Sequence, residues 1–103
     1  MIGVENAESV PKDFSLSQNY PNPFNPQTTI KYAIPIQTDI SLVIYNLMGQ
    51  EVIRWDEKSV PAGYYEKRWK GLTYSGIPVA SGVYLYRLQA AEFVQTRKML
   101  FLK

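Results

Sequence analysis

Apolar and polar residues alternate along this chain in short runs, and each run is stopped by proline, glycine or asparagine. Ile30, Tyr32 and Ile34 share one face of a segment that Pro35 ends. Ile40, Leu42 and Ile44 share a face of the next, with Ser41, Val43 and Tyr45 opposite. A period of two belongs to a β-strand, whose successive side chains point to opposite sides. Asn46-Leu47-Met48-Gly49 reads as a turn with Gly49 at positive φ. A short strand, Glu51 to Trp55, follows. Pro61-Ala62-Gly63 is a second turn, after which Tyr65, Lys67 and Trp69 share a face. Residues 70–81 form the longest loop. Gly82 to Ala91 then alternates with Tyr84, Tyr86 and Leu88 together, and a tight turn near Ala91-Glu92 makes a C-terminal hairpin with Phe93 to Leu102. No window sustains a helical period with caps.

About seven short strands separated by turns predict an all-β fold, an antiparallel β-sandwich. Its two sheets would pack alternate side chains inward, with Trp69, Tyr84, Tyr86 and Phe93 large enough to dominate the core. Met99-Leu100-Phe101-Leu102 is apolar on both faces, so the last strand should be central or covered on both sides. Pro21, Pro23 and Pro26 lack the amide hydrogen a ladder needs. Placed ahead of Thr28-Thr29-Ile30-Lys31-Tyr32, they suit a segment that shields a sheet edge without extending it.

The chain has 103 residues, room for one domain; residues 1–13 are polar and without period, a linker or appended tail, and the domain runs from 14 to 103. Hydrophobic residues make up 46% and charged residues 19%, a composition that can bury a core. With net charge +2 and both signs interleaved, no nucleic-acid footprint is visible. No run is long and apolar enough to span a bilayer, and the first residues lack the pattern of a signal peptide.

Cysteine and histidine are both absent, which removes disulfides, thiolate catalysis, histidine bases and the usual zinc sites. The carboxylates Glu5, Glu8, Asp13, Asp39, Glu51, Asp56, Glu57, Glu66 and Glu92 are scattered over turns and exposed faces rather than paired for glycoside hydrolysis. The 70–76 loop, KGLTYSG, has no acidic residue to hold calcium. The expectation is therefore a non-catalytic domain without a cofactor or metal. Tyr45, Trp55, Tyr64 and Tyr74 could stack on sugar rings, so a carbohydrate-binding module attached to a secreted hydrolase, with surface polysaccharide as its partner, is an alternative.

"LSQNYPNPFNPQTTIKYAIP", "VIYNLMGQEV", "PVASGVYLYRLQA" and "TRKMLFLK" together resemble the C-terminal sorting domain of type IX secretion cargo, type A, over about Phe14 to Lys103. The resemblance implies an immunoglobulin-like sandwich, related to a domain of flagellar hook-capping proteins. It also implies a role: the final segment of a larger exported protein, carried through the periplasm and recognised by the outer-membrane type IX translocon. A sortase-like peptidase would then remove it and leave the cargo on the cell surface or outside the cell.

Matched residue by residue, the family's glycine-x-tyrosine element is Gly82 and Tyr84. Its basic terminal element is Lys98 and Lys103, after Arg97 and around Met99, Leu100, Phe101 and Leu102. These nine are the candidates for translocon recognition, although a close backbone approach at Gly82 and a core role for Tyr84 would account for those two. Pro21, Asn22, Pro23 and Phe24 match directly, as do Gly49 and Val52. Trp69-Lys70-Gly71 matches in part, because the family usually carries aspartate after this tryptophan. Lys67 stands where an apolar residue is common, and would have to snorkel if it faced inward.

Overall fold

The alternating runs form seven strands in the computed structural model, which describes residues 10–103. They are β1 (Ser15–Leu16), β2 (Thr28–Ile34), β3 (Thr38–Tyr45), β4 (Glu51–Val60), β5 (Gly63–Trp69), β6 (Gly82–Ala90) and β7 (Phe93–Phe101). All pair antiparallel, in a three-stranded sheet ordered β1-β2-β5 and a four-stranded sheet ordered β4-β3-β6-β7. The expected all-β, immunoglobulin-like sandwich is the observed architecture. Of the segment read as a linker, residues 1–9 lie outside the described residues, and Pro11 is already buried.

The alternation places the core. Ile30, Tyr32 and Ile34 of β2 face Ile40, Leu42 and Ile44 of β3 and Tyr84, Tyr86 and Leu88 of β6, all nearly inaccessible to water. Trp69 belongs to this core, whereas Phe93 is only half-buried and stacks on Phe14 at 5.3 Å. Burying one such large side chain contributes roughly 1.5–3 kcal/mol.

β4 is twice the expected Glu51–Trp55 strand, because ladder bonds to β3 carry it through the polar run Asp56-Glu57-Lys58-Ser59. Glu57 points between the sheets, where its carboxylate meets the Lys67 ammonium of β5. Lys67 therefore does not snorkel; it is paired across the gap.

β7 is an edge strand rather than a central one. Its exposed edge is instead lined by the chain's own residues 14–24. Phe14 stacks on Phe93, Arg97 Nε donates to the Leu16 carbonyl (2.6 Å), and Gln18 Nε2 donates to the Lys98 carbonyl (2.8 Å). The expected shielding by prolines thus takes a longer path. Tyr20 bridges Thr29 beside β2, and the segment then crosses to the other sheet and pairs Phe24 with Phe101.

Candidate functional site

Five stretches meet at the end of the sandwich where the chain terminates: the proline segment, the end of β5, the 70–81 loop, the start of β6 and the end of β7. Each has a local reason for its shape. The peptide bonds before Pro21, Pro23 and Pro26 are cis. Asn19, buried, fixes the entry to this segment. Its amide N–H donates to Tyr86 Oη (2.8 Å), and its Nδ2 donates to the Pro21 carbonyl (3.1 Å) and to Thr28 Oγ1 (2.9 Å). Thr28, fully buried, donates in turn to the Pro21 carbonyl (2.8 Å). Buried polar groups that satisfy one another in this way hold one geometry.

The proline segment then closes on β7 through two main-chain bonds and one to the Asn22 side chain. The Leu100 N–H donates to Asn22 Oδ1 (3.0 Å), the Phe24 N–H to the Leu100 carbonyl (3.0 Å), and the Leu102 N–H to the Phe24 carbonyl (3.1 Å). Pro21 and Pro23 flank these contacts, are exposed, and give no amide donor. An incoming strand would have to displace residues 14–24 to pair here, so the terminal edge is occupied by its own chain.

Phe24 enters the core at this point. Its ring stacks on Phe101 at 4.7 Å and lies 5.6 Å from Trp69, which meets Tyr84 edge-on at 5.3 Å. Aromatic pairs of this kind add about 0.5–1.5 kcal/mol beyond their buried area. Trp69 Nε1 donates to the Leu72 carbonyl (2.8 Å), which ties the loop to the cluster. Gly71, at φ +72°, lies against the Phe101 ring; a Cβ there would come within 2.8 Å of it.

Gly82 has a different reason to be glycine. No atom lies within 4 Å of a Cβ built on it, so the close approach expected there is found at Gly71 instead. What Gly82 supplies is φ +149°, a backbone that other residues rarely adopt. Two residues on, the Tyr84 hydroxyl donates back to the Ala80 carbonyl (2.6 Å). That is the tyrosine corner of sandwich folds, in which a core tyrosine pins the chain just upstream of its strand. Burial pushes the Tyr84 phenol above its ordinary pKa. Tyr65 makes the same reach to the Pro61 carbonyl (2.6 Å) at the other end of the molecule.

The sequence-derived candidates therefore divide. Tyr84, Met99 and Phe101, with the motif residues Phe24 and Trp69, are buried in or beside the cluster. Arg97 is half-buried against Leu16, and Leu100 is half-buried on the outer face. Lys98, Leu102 and Lys103 are exposed. Gly49, at φ +83°, closes the β3–β4 turn, where its N–H donates to the Asn46 carbonyl (3.0 Å). The sequence reading gave Asn19 and Thr28 no buried role, and named Gly71 only as part of an incomplete motif match. Alternation treats a buried asparagine or threonine as polar surface, and no local pattern reveals that Phe101 lies over Gly71.

The aromatics considered for sugar stacking fall on separate surfaces. Trp55 packs against the core, Tyr45 lies on the outer face of the four-stranded sheet under Arg87, and Tyr64 lies on the outer face of the other sheet. Tyr74 is in the 70–81 loop. Among the described residues, no group of acidic side chains is arranged to hold a metal.

The model of the secretion system C-terminal sorting domain family matches residues 18–102. The chain belongs to this family. The sorting domain has the fold of part of dimeric latent PorU from Porphyromonas gingivalis (TM-score 0.68, 18% identity, 89% of this chain and 10% of that one). It is also similar to part of PorZ, an essential surface component of the type IX secretion system of the same bacterium (TM-score 0.57, 22% identity, 87% of this chain and 11% of that one). FlgD from P. aeruginosa shares the fold too (TM-score 0.57, 19% identity, 89% of this chain and 68% of that one). No curated protein sequence matches the sorting domain. It thus spans about a tenth of the length of PorU and PorZ.

Proposed function

We propose that this sorting domain is a non-catalytic signal, continuous with a cargo protein on its N-terminal side, that takes the cargo from the periplasm through the outer-membrane type IX translocon. A sortase-like peptidase then separates the domain from cargo that stays on the cell surface or is released. The division at residue 14, with residues 1–13 as the link to cargo, is part of the same proposal. The observation that carries it is the convergence of the proline segment, Trp69, Tyr84 and Phe101 on one cluster that holds the terminal strand. A signal built this way is read as a folded surface, not as an extended tail. Its exposed readable groups are Lys98, Leu102 and Lys103, with Leu100 partly accessible.

The test is export of a reporter carrying residues 1–103 at its C-terminus, in a bacterium with a type IX system. Deleting residues 99–103 removes both the exposed groups and the buried Met99 and Phe101, and is expected to strand the reporter in the periplasm. The double change Leu102→Ser, Lys103→Glu touches exposed side chains alone. It should reduce export while leaving the melting temperature within about 2 °C. Normal surface delivery by the deleted form would end the proposal.

A further inference from the structure

Of the eight tyrosines in the chain, two do nothing for the fold. Tyr32, Tyr84 and Tyr86 are buried, and the hydroxyls of Tyr45, Tyr65 and Tyr74 are each bonded to another residue. Tyr20 and Tyr64 are 81% and 62% exposed, and their hydroxyls form no hydrogen bond among the described residues. The ladder nevertheless brings these two to one surface. On β2, Thr29, Lys31 and Ala33 point outward, away from the core residues Ile30 and Tyr32. Tyr64, Glu66 and Arg68 of β5 lie opposite Ala33, Lys31 and Thr29 on one flank, and Tyr20 bridges Thr29 on the other. The two tyrosines thus stand at opposite corners of the outer face of the three-stranded sheet, with roughly 16 Å between their Cα atoms from strand rise and spacing.

Two grooves lie between them. Tyr64 lines one of about 610 Å³, and Tyr20 and Arg68 line another of about 330 Å³. Lys31 and Glu66 line both, so the grooves run together. Ala33 opposite Tyr64 gives the first its depth, because a methyl group leaves the sheet surface low beside the ring. Arg68 reaches Glu66 at 3.4 Å, whereas Lys31 forms no ion pair with a described residue.

The chemistry of this face selects its occupant. Neither groove is lined by leucine, isoleucine, valine, methionine or phenylalanine. Serine, alanine, lysine and glutamate, which do line them, are the residues that protein interfaces avoid. Glu66 offsets the cations, so the basic groove that a nucleic acid requires is missing. A sugar ring combines an apolar face of C–H bonds with a rim of hydroxyls. The C–H face suits the electron-rich face of an exposed tyrosine. The hydroxyls both donate and accept, and Lys31 and Arg68 supply donors while Glu66 supplies acceptors.

We propose that this face binds an extended polysaccharide chain, with sugars stacked on Tyr20 and Tyr64 and hydroxyls bonded by Lys31, Glu66 and Arg68 between them. The sheet that carries it does not contain β7, and the proposal stands apart from the sorting reading.

The test is affinity electrophoresis of the 103-residue chain through gels containing soluble polysaccharide, either neutral (xyloglucan, galactomannan) or uronate-bearing (polygalacturonate). Retardation in at least one gel is expected. Tyr20→Ala and Tyr64→Ala should each weaken it about three- to tenfold and together abolish it. Tyr74→Ala, which removes an exposed ring from the 70–81 loop, should leave it unchanged. Melting temperatures of the Tyr20 and Tyr64 variants should stay within about 2 °C, since the main-chain bonds between Tyr20 and Thr29 remain. Lys31→Ala, at an exposed position, gives a second reading and should also reduce retardation. Migration unaffected by every polysaccharide, or retardation that survives the double tyrosine change, overturns the proposal. The export reporter carrying the double change should reach the surface normally. Export lost with the fold intact would make the face a protein contact and overturn the polysaccharide, whereas failure of the deletion of residues 99–103 to block export bears on the sorting reading alone.

Discussion

Tyr32 and Tyr86 both lie in the core, yet their hydroxyls have opposite standing. The Tyr86 hydroxyl donates to the Ser17 carbonyl (2.7 Å) and accepts the Asn19 N–H (2.8 Å). The Tyr32 hydroxyl is buried without a partner among the described residues. Its pKa is pushed up to about 12, first by burial and then by the charges of Glu57 and Tyr65. A folded value above the ordinary 10.0 means that the neutral phenol contributes fully below that pH, and that stability is lost as pH climbs towards about 12. Tyr32→Phe is therefore expected to stabilise the domain by about 1 kcal/mol and to flatten its alkaline loss, measured by urea unfolding at neutral and strongly alkaline pH. Tyr86→Phe orphans the buried Asn19 amide and frees the part-buried Ser17 carbonyl, and should cost about 1–3 kcal/mol. Alternation foretold that both tyrosines point inward. It is silent on where a hydroxyl ends up, because that depends on the strand opposite.

Among the elements, the turn after β3 was legible and the length of β4 was not. Asn46 and Gly49 form their turn from bonds within five residues, so composition alone reveals it. The far half of β4 is polar and pairs where the sheet dictates, with a register shift between Thr38 and Ile40. Opposite that shift, Ser59 at φ 51° donates its N–H to Asp39 Oδ1 (2.8 Å). This bond, aided by Lys58, holds the Asp39 carboxyl below its ordinary pKa. A lowered folded value contributes stability above the unfolded pKa and withdraws it as pH falls through the folded one. Asp39→Asn should accordingly make acid unfolding less steep, a difference visible in the midpoint pH followed by circular dichroism. For the edge of β7, Asn22→Ala frees the Leu100 amide. Its hydrogen exchange should accelerate while amides of β3 keep their protection.

At the scale of the whole molecule, the terminal strand is fastened by residues from the other end of the domain. Phe101→Ala leaves a void beneath Phe24, Trp69 and Gly71 and should cost about 3–5 kcal/mol, by thermal or urea unfolding. The same change should block export through misfolding, whereas Leu102→Ser acts without unfolding, so measuring stability and delivery together separates holding the signal from reading it. The family motifs were visible in the sequence as short strings. Their meeting place was not. Asn22 and Leu100 are separated by 78 residues and Gln18 and Lys98 by 80.

Period-two alternation and the chemistry of proline, glycine and asparagine were enough to determine strands, turns, the terminal hairpin and the sandwich, because these act between near neighbours or through one face of a strand. Only the tertiary structure decided that β7 is an edge strand lined by residues 14–24, that Gly71 rather than Gly82 makes the close approach, and that Glu57 and Lys67 meet between the sheets. Each of those depends on which distant surfaces come into van der Waals or hydrogen-bond contact. That is settled by packing the two sheets together, and no local pattern encodes it.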